Sequence, residues 1–151
     1  MKKLLAAVLA LLLCVVVSNA QGKRGTPAQA EAMVKKVVDF IKANGKEKAY
    51  EAVNDVKGKF VDGDLYVAIY DLTGKCVAHG NNPKMIGKDL IDMKDADGKL
   101  FVKERVDLAK AKGSGWQNYK WTNPTNKNIE SKTAFIQKVD DVIVICGAYK
   151  K

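Results

Sequence analysis

The chain has 151 residues, of which 26 are Lys or Arg and 17 are Asp or Glu, so its formal net charge at pH 7 is +9. This length corresponds to one domain and is sufficient to bury a core without disulfide bonds. The lysines are spread along the whole sequence, with no basic helix and no strand that combines basic and aromatic residues, which argues against nucleic acid as a partner. A basic surface suits anionic partners instead.

Residues 1–20 have the pattern of a signal peptide. Two lysines precede an apolar stretch from Leu4 to Val17, and a small-residue cleavage pattern ends at Ala20. The apolar stretch is shorter than the roughly 18 residues that a membrane-spanning helix needs. We therefore predict a cleaved, periplasmic or secreted chain of residues 21–151 with no stable membrane insertion; a retained anchor is the alternative.

Two helices are predicted near the start of the mature chain, within residues 27–54. Thr26 is the expected N-cap, Pro27 occupies the first helical position, and apolar residues recur at helical spacing as far as Ile41. A short second helix from Lys46 to Asn54 extends this segment. A loop then leads into the rest of the domain.

Residues 64–150 have the pattern of a sheet interrupted by one helix. Strands are predicted from Leu65 to Asp71 and from Cys76 to His79, followed by a helix between Asp97 and Ala111 that is capped by Asp97. Three further strands follow, and the last two form a hairpin in residues 132–149. Mostly adjacent strands with helices to one side indicate an α+β fold with about five antiparallel strands.

His79 is the single histidine and the first candidate for acid–base or metal chemistry. Cys76 lies at an odd separation on the same predicted strand, so the two side chains should point to opposite faces and cannot form a nucleophile–base pair. A zinc site needs more His or Cys ligands than the mature chain offers. The sequence thus indicates no enzyme, no metal and no cofactor.

Five motifs follow one another in the order and at the separations typical of a known sensory module. They are Ala78-His79, Gly87-Lys88-Asp89-Leu90, Gly113-Ser114-Gly115-Trp116, Tyr119-Lys120-Trp121 and Lys132. In this order the chain resembles the single Cache domain of type 2, the PAS-like extracytoplasmic small-molecule sensor of bacterial chemoreceptors and sensor kinases. The resemblance implies a long N-terminal helix packed on a PAS-like antiparallel sheet.

The resemblance also implies a ligand pocket. Its predicted lining consists of His79, Met85, Trp116, Tyr119, Trp121 and Lys132. Lys132 would neutralise an acid, Tyr119 and His79 would donate hydrogen bonds, and the remaining three side chains would shape the walls. A buried lysine needs a counter-charge, which a small carboxylate provides. Judged by residue type alone, the aromatics could equally be core, Lys132 solvated and His79 structural.

The arrangement of the predicted sheet bears on the two cysteines of the mature chain. In a Cache-like sheet the strand Leu65 to Asp71 lies between the strands of Cys76 and Cys146, which keeps their Cα atoms ~10 Å apart and beyond disulfide reach. We therefore predict two buried free thiols.

The function predicted from the sequence is that of an exported sensory domain for a short organic carboxylate. It would act in signal transduction or chemotaxis through a separate partner, either a membrane receptor or a sensor kinase. The alternative is a periplasmic protein-interaction module with an empty pocket.

Overall fold

The computed structural model describes residues 22–150, so the predicted signal peptide lies outside the described residues. Within this part of the chain there are three α-helices, a short 3₁₀ turn and six strands. They are α1 (Pro27–Asn44), α2 (Lys46–Asn54), β1 (Val61–Asp62), β2 (Leu65–Asp71), β3 (Cys76–His79), the 3₁₀ turn Pro83–Met85, α3 (Phe101–Lys112), β4 (Ser114–Thr122), β5 (Ile129–Val139) and β6 (Val142–Tyr149). None of the helices in residues 22–150 is both long and apolar enough to cross a membrane.

All strand pairs in the described sheet are antiparallel, in the order β1-β2-β6-β5-β4, with β3 also paired to β2. The predicted α+β class and all five predicted strands are confirmed. The sixth strand is the two-residue β1, which lies in the segment predicted as a loop.

Helix α1 begins where the sequence predicts. The Thr26 side chain accepts a hydrogen bond from the Gln29 amide at 3.2 Å, and the Gln29 side chain accepts one from the Thr26 amide at 2.9 Å. This reciprocal pair satisfies two amides that the first helical turn leaves without partners. The buried residues of α1, among them Val34 and Val38, pack with α2 against one face of the sheet.

Helix α3 packs on the opposite face, so the prediction that all helices lie to one side was wrong. Its buried residues Phe101, Val102 and Val106 form a second core with residues of β2, β4, β5 and β6. Two short predicted helices and one long one gave no information on which face each would cover. A sheet with helices on both faces has two hydrophobic cores, and the core beneath α3 contains the cavity described below.

The start of α3 also differs from the prediction. Asp97 does not cap the helix; the N-cap position is Leu100, which makes no side-chain cap. The carboxylate of Asp95 instead accepts hydrogen bonds from the amides of Asp97 and Lys99, both at 2.9 Å, and from the Lys120 amide at 2.9 Å. Asp95 therefore fastens the loop before α3 to strand β4.

A β-bulge in β3 overturns the prediction that Cys76 and His79 face opposite ways. Ala68 of β2 pairs with His79, and Tyr70 pairs with Cys76. A step of two residues along β2 therefore corresponds to a step of three residues along β3. Because of this extra residue, the side chains at the two ends of β3 point to the same face of the sheet. His79 and Cys76 both lie on the face covered by α3.

The predicted thiols are confirmed. Cys76 and Cys146 are both buried and free, and β2 separates the strands that carry them. Burial raises the pKa of the Cys76 thiol to about 11 and that of the Cys146 thiol to about 12. Neither is a thiolate at neutral pH.

Candidate ligand-binding cavity

A small cavity lies between helix α3 and the face of the sheet that this helix covers. Its lining is Tyr66, Ala68, Tyr70, His79, Phe101, Arg105, Tyr119, Trp121, Lys132, Ile145 and Cys146. The free space for the centre of a water molecule is about 20 Å³, which is roughly enough for one water. The lining is mostly aromatic, yet it includes three groups that can carry a positive charge.

Lys132 enters the cavity from β5 and is 2% exposed. Its stem crosses Gly147 on β6, where a Cβ atom would lie 2.7 Å from Lys132 Cε, so only glycine leaves room for it. The ammonium lies 4.1 Å from the centre of the Tyr66 ring and 4.7 Å from that of Tyr149, and it donates a hydrogen bond of 3.4 Å to the Tyr149 hydroxyl. Tyr149 in turn donates to the Thr122 carbonyl at 2.8 Å.

Arg105 enters from α3 and is 1% exposed. Its Nε donates to the Gln117 side chain at 3.2 Å, and Gln117 is itself held by the Phe101 carbonyl at 2.6 Å. The guanidinium carbon lies 4.7 Å from the centre of the Tyr70 ring. Nη2 is buried and has no hydrogen-bond partner among residues 22–150. Burying such a donor without a partner is costly, so this nitrogen marks a place for an acceptor.

The two buried cations have no counter-charge in the part of the chain that the structure describes. Neither Lys132 nor Arg105 forms an ion pair there, and the cavity lining contains no Asp or Glu. Burial, with Arg105 acting in the same direction, lowers the pKa of Lys132 to about 7. The cavity is therefore built to attract an anion.

His79 contributes a neutral donor. Its Nδ1 accepts hydrogen bonds from the backbone amides of Asn81 at 3.2 Å and Asn82 at 3.0 Å, which places the ring proton on Nε2. The ring stacks on Tyr66 with centroids 5.2 Å apart. Burial, followed by Lys132 and Arg105, lowers the pKa of His79 to about 3. The imidazole is thus uncharged at neutral pH and has an N–H to donate.

Aromatic rings form the wall next to α3. Phe101 and Tyr119 are stacked with centroids 4.8 Å apart and planes 3° apart, and Trp121 lies 5.2 Å from Phe101. Tyr119 and Trp121 share this face because they are two residues apart on β4. The prediction that they lie on one face is confirmed.

The structure brings four of the six predicted site residues to the cavity. They are His79, Tyr119, Trp121 and Lys132. Met85 is buried in the same apolar cluster, but it is not part of the lining. Trp116 lies on the other face of β4, is 43% exposed and contacts Phe135 at 5.2 Å between ring centroids. Assigning Trp116 to the pocket wall was wrong because it lies an odd number of residues from Tyr119.

Sequence reasoning missed Arg105, Tyr66 and Tyr70. A signal for Arg105 was present, since it lies four residues after Phe101 and four before Ala109, within the apolar stripe of α3. A charge on a buried stripe indicates a partner or a ligand. Tyr66 and Tyr70 alternate with apolar residues on β2 and could not be distinguished from core.

The cavity has the groups to bind an anion and lacks an assembled nucleophile or metal site. The thiols are protonated, as described above, and His79 has no acidic partner in the lining. Within residues 22–150, no three His, Cys, Asp or Glu side chains gather closely enough to hold a metal ion. The chemistry available is hydrogen bonding and charge neutralisation.

Comparison with protein families decides the identity of the fold. The profile of the family described as single Cache domain 2 matches residues 20–151. The chain belongs to this family. Cache domains of this type are extracytoplasmic sensors, and they are ligand-binding, non-catalytic modules.

Curated relatives of this Cache domain are signalling proteins. The methyl-accepting chemotaxis protein McpP of Pseudomonas putida is 36% identical over 87 residues, which are 58% of this chain and 16% of McpP. The sensor histidine kinase MctS of Rhizobium johnstonii is 32% identical over 77 residues, which are 51% of this chain and 16% of MctS. The matched part is thus about a sixth of each relative's length.

Solved structures agree with the Cache fold over most of the chain. A periplasmic sensor domain of a chemotaxis protein superposes with a TM-score of 0.72 at 27% identity, covering 83% of this chain and 95% of that one. A Cache chemosensory domain described for its carboxylic acid recognition gives a TM-score of 0.69 at 29% identity, covering 82% and 92%. The predicted family and the PAS-like architecture are both confirmed.

The separation of the two tryptophans of this Cache domain is directly testable. In a Trp116→Phe variant, fluorescence comes from Trp121 in the cavity wall, and we expect blue-shifted emission with weak acrylamide quenching. In the matched Trp121→Phe variant, the exposed Trp116 should give red-shifted emission and a quenching constant several-fold larger. Equal quenching in the two variants would contradict this placement.

Proposed function

We propose that this Cache domain is an exported sensory module whose cavity binds a short organic carboxylate. One observation carries the proposal: Lys132 and Arg105 are both buried in one small cavity without an acidic partner in the described chain. An unpaired buried charge costs several kcal/mol, on the order of 3 or more, unless a ligand neutralises it. A carboxylate supplies both the charge and the acceptor oxygens that the cavity lacks.

The donors around the cations suit a planar carboxylate. Arg105 Nη2 and the ammonium of Lys132 are charged donors, and hydrogen bonds from charged donors to a carboxylate are about twice as strong as neutral ones. His79 Nε2 and the Tyr119 hydroxyl are further donors in the lining. A neutral ligand of the same shape leaves both cations uncompensated.

The small volume supports a short ligand. The cavity has room for roughly one water, and the rings of Phe101, Tyr119 and Trp121 close its wall. Since even a two-carbon acid is larger than a water molecule, binding requires these side chains to move apart. A ligand that separates α3 from the sheet changes the shape of the domain, and this is what a sensor requires.

We propose that the receiver of the signal is a separate membrane receptor or sensor kinase. The relatives of this chain are a chemotaxis receptor and a histidine kinase, so signal transduction or chemotaxis is the process that the proposal assigns. The carboxylic acid recognised by one structural neighbour supports the ligand class.

A periplasmic protein-interaction module is the second candidate, and the small volume of the cavity is the observation that favours it. If the walls do not separate, the cavity holds only water and the basic surface of the domain is the part available to partners. The ligand test below separates the two candidates.

The experiment is isothermal titration of the mature domain at pH 6 with acetate, propionate and butyrate, and with the matched amides acetamide and propionamide. We expect at least one acid to bind with a Kd below a millimolar, and each amide to bind at least about 10-fold more weakly because it lacks the charge. Equal binding of acid and amide would overturn the carboxylate assignment. The absence of any binding would favour the interaction module.

A further inference from the structure

Lys132 is a buried amine that has side chains of several strands and of α3 around it. A second cation, Arg105, lines the same cavity. The groups that face it are Tyr66 from β2, His79 from β3, Arg105 from α3, Tyr119 from β4 and Tyr149 from β6. Cys146 of β6 also borders the cavity, but its thiol lies on the α1 side of the sheet, 3.9 Å from the Met33 sulfur. Asp64, just before β2, also acts on it, but its carboxylate is used by the Gly25 amide at 2.7 Å and the Asn123 side chain at 3.3 Å.

The ligand-free cavity therefore cannot easily hold two positive charges. A guanidinium keeps its charge throughout the neutral range, whereas an amine can release its proton. No acid in the lining compensates a charged Lys132, and its nearest hydrogen-bond partner is the Tyr149 hydroxyl. Above neutral pH the protonation state of lowest free energy in the empty site has a charged Arg105 and a neutral Lys132.

We propose that a carboxylate and one proton enter this site together, with the proton residing on Lys132 Nζ. The inference rests on the proposed function and adds the regulation of the same site. The balance is simple: the neutral amine, a proton from solvent and the carboxylate anion give an ammonium–carboxylate pair, and no covalent bond other than N–H forms. Above pH 7 the domain would thus respond to the product of carboxylate and proton concentrations.

The sign of the pH effect follows from the group that titrates. The pKa of Lys132 in the empty site is about 7, and a bound carboxylate raises it. Below pH 7 Lys132 is already protonated, so affinity does not change with pH. Above pH 7 each unit of pH weakens binding by about tenfold until the pKa of the complex is reached.

No other group facing Lys132 titrates in this window. Burial lowers the pKa of His79 to about 3, raises that of Tyr119 to about 12 and raises that of Cys146 to about 12. Burial also raises the pKa values of Tyr66 and Tyr149. Proton uptake between pH 6 and pH 8 is therefore attributable to Lys132.

The test is calorimetric titration with acetate at pH 6 and pH 8, each in two buffers of different ionisation enthalpy. The dependence of the observed enthalpy on the buffer counts the protons taken up. We expect close to none at pH 6 and close to one at pH 8, with about a tenfold weaker Kd at pH 8. Equal Kd values and no uptake at pH 8 would overturn the inference while leaving the proposed function intact.

Two variants sharpen the test. Lys138→Met removes an exposed lysine from the same strand and the same side of β5, so proton uptake should be unchanged. Lys132→Arg keeps a charge that cannot be released, so any acetate binding that remains should show no uptake at pH 8. Uptake that persists in Lys132→Arg would overturn the assignment to Lys132. If acetate does not bind, the same titrations are made with propionate and butyrate; the absence of binding of all three acids to the unsubstituted domain at pH 6 and pH 8 would overturn the proposed function and this inference together.

Discussion

Replacing Lys132 with Met is expected to stabilise the ligand-free domain and to weaken carboxylate binding. Met has a similar length and fits the apolar space beside Gly147, while the cost of burying an unpaired ammonium disappears. At pH 6 we expect the free energy of unfolding to rise by ~2 kcal/mol or more, and Tm by about 5–10 °C. Acetate affinity should fall by about 10- to 100-fold with the loss of a charge-assisted hydrogen bond.

The pH dependence of stability gives an internal check on the same variant. The pKa of Lys132 is about 7 in the folded domain, whereas an unfolded lysine has a pKa of about 10.4. Between these values the unfolded chain binds more protons at this lysine, so the stability of the unsubstituted domain should rise with pH from 7 to about 8.5. Above that pH the buried thiols of Cys76 and Cys146, whose pKa values are raised in the folded domain, act in the opposite direction. In Lys132→Met this rise should disappear.

The measurements are urea denaturation at pH 6, 7 and 8 and calorimetric titration with acetate, with Lys138→Met as the exposed control on the same strand. The control should match the unsubstituted domain in both. A less stable Lys132→Met variant would mean that the ammonium has a stabilising partner in the empty site. Retained acetate affinity would remove Lys132 from the binding site.

Replacing Arg105 with Met should weaken carboxylate binding to a similar degree with a smaller change in stability. Arg105 Nη2 is the donor without a partner, and losing its bond to a ligand oxygen should cost about 1.5–3 kcal/mol, or roughly 10- to 150-fold in Kd. In the empty domain two effects oppose each other. The buried charge is lost, but Gln117 loses the donor to its side-chain oxygen at 3.2 Å.

The control for this variant is Lys112→Met, which removes an exposed cation from the same helix. Acetate titration and urea denaturation at pH 6 should leave it unchanged. The double variant Arg105→Met with Lys132→Met adds a further check, because two groups that bind one carboxylate should give non-additive losses. Strictly additive losses would indicate that the two cations do not share one ligand.

Period-two patterns predicted much of the sheet and part of the site. Tyr119 and Trp121 lie on one face as expected, and the hairpin of β5 and β6 turns between Val139 and Val142. The same periodicity places Trp116, three residues before Tyr119, on the opposite face of β4, and it therefore excludes Trp116 from the cavity wall.

Other parts of the site depend on information that the sequence does not display. The position of α3 on the face opposite α1 depends on long-range packing of Phe101 and Val106. An amphipathic pattern shows that a helix has an apolar side, but it does not show which face of the sheet that side covers. Burial of Arg105 was readable from its place on the apolar stripe of α3, but its free Nη2 was not. Nη2 has no partner in the described part of the fold because the Gln117 side chain accepts its hydrogen bond from Nε, and this contact is visible only in the folded structure.

The bulge in β3 makes the cavity sensitive to strand length. Val77 is the extra residue that returns His79 to the face of Tyr66, with which it stacks. A single-residue deletion between Cys76 and His79 would turn the imidazole toward the α1 side and remove a donor from the cavity without changing any lining side chain. A change of length can thus alter what such a pocket recognises as readily as a substitution, so two domains with identical cavity residues need not share a ligand.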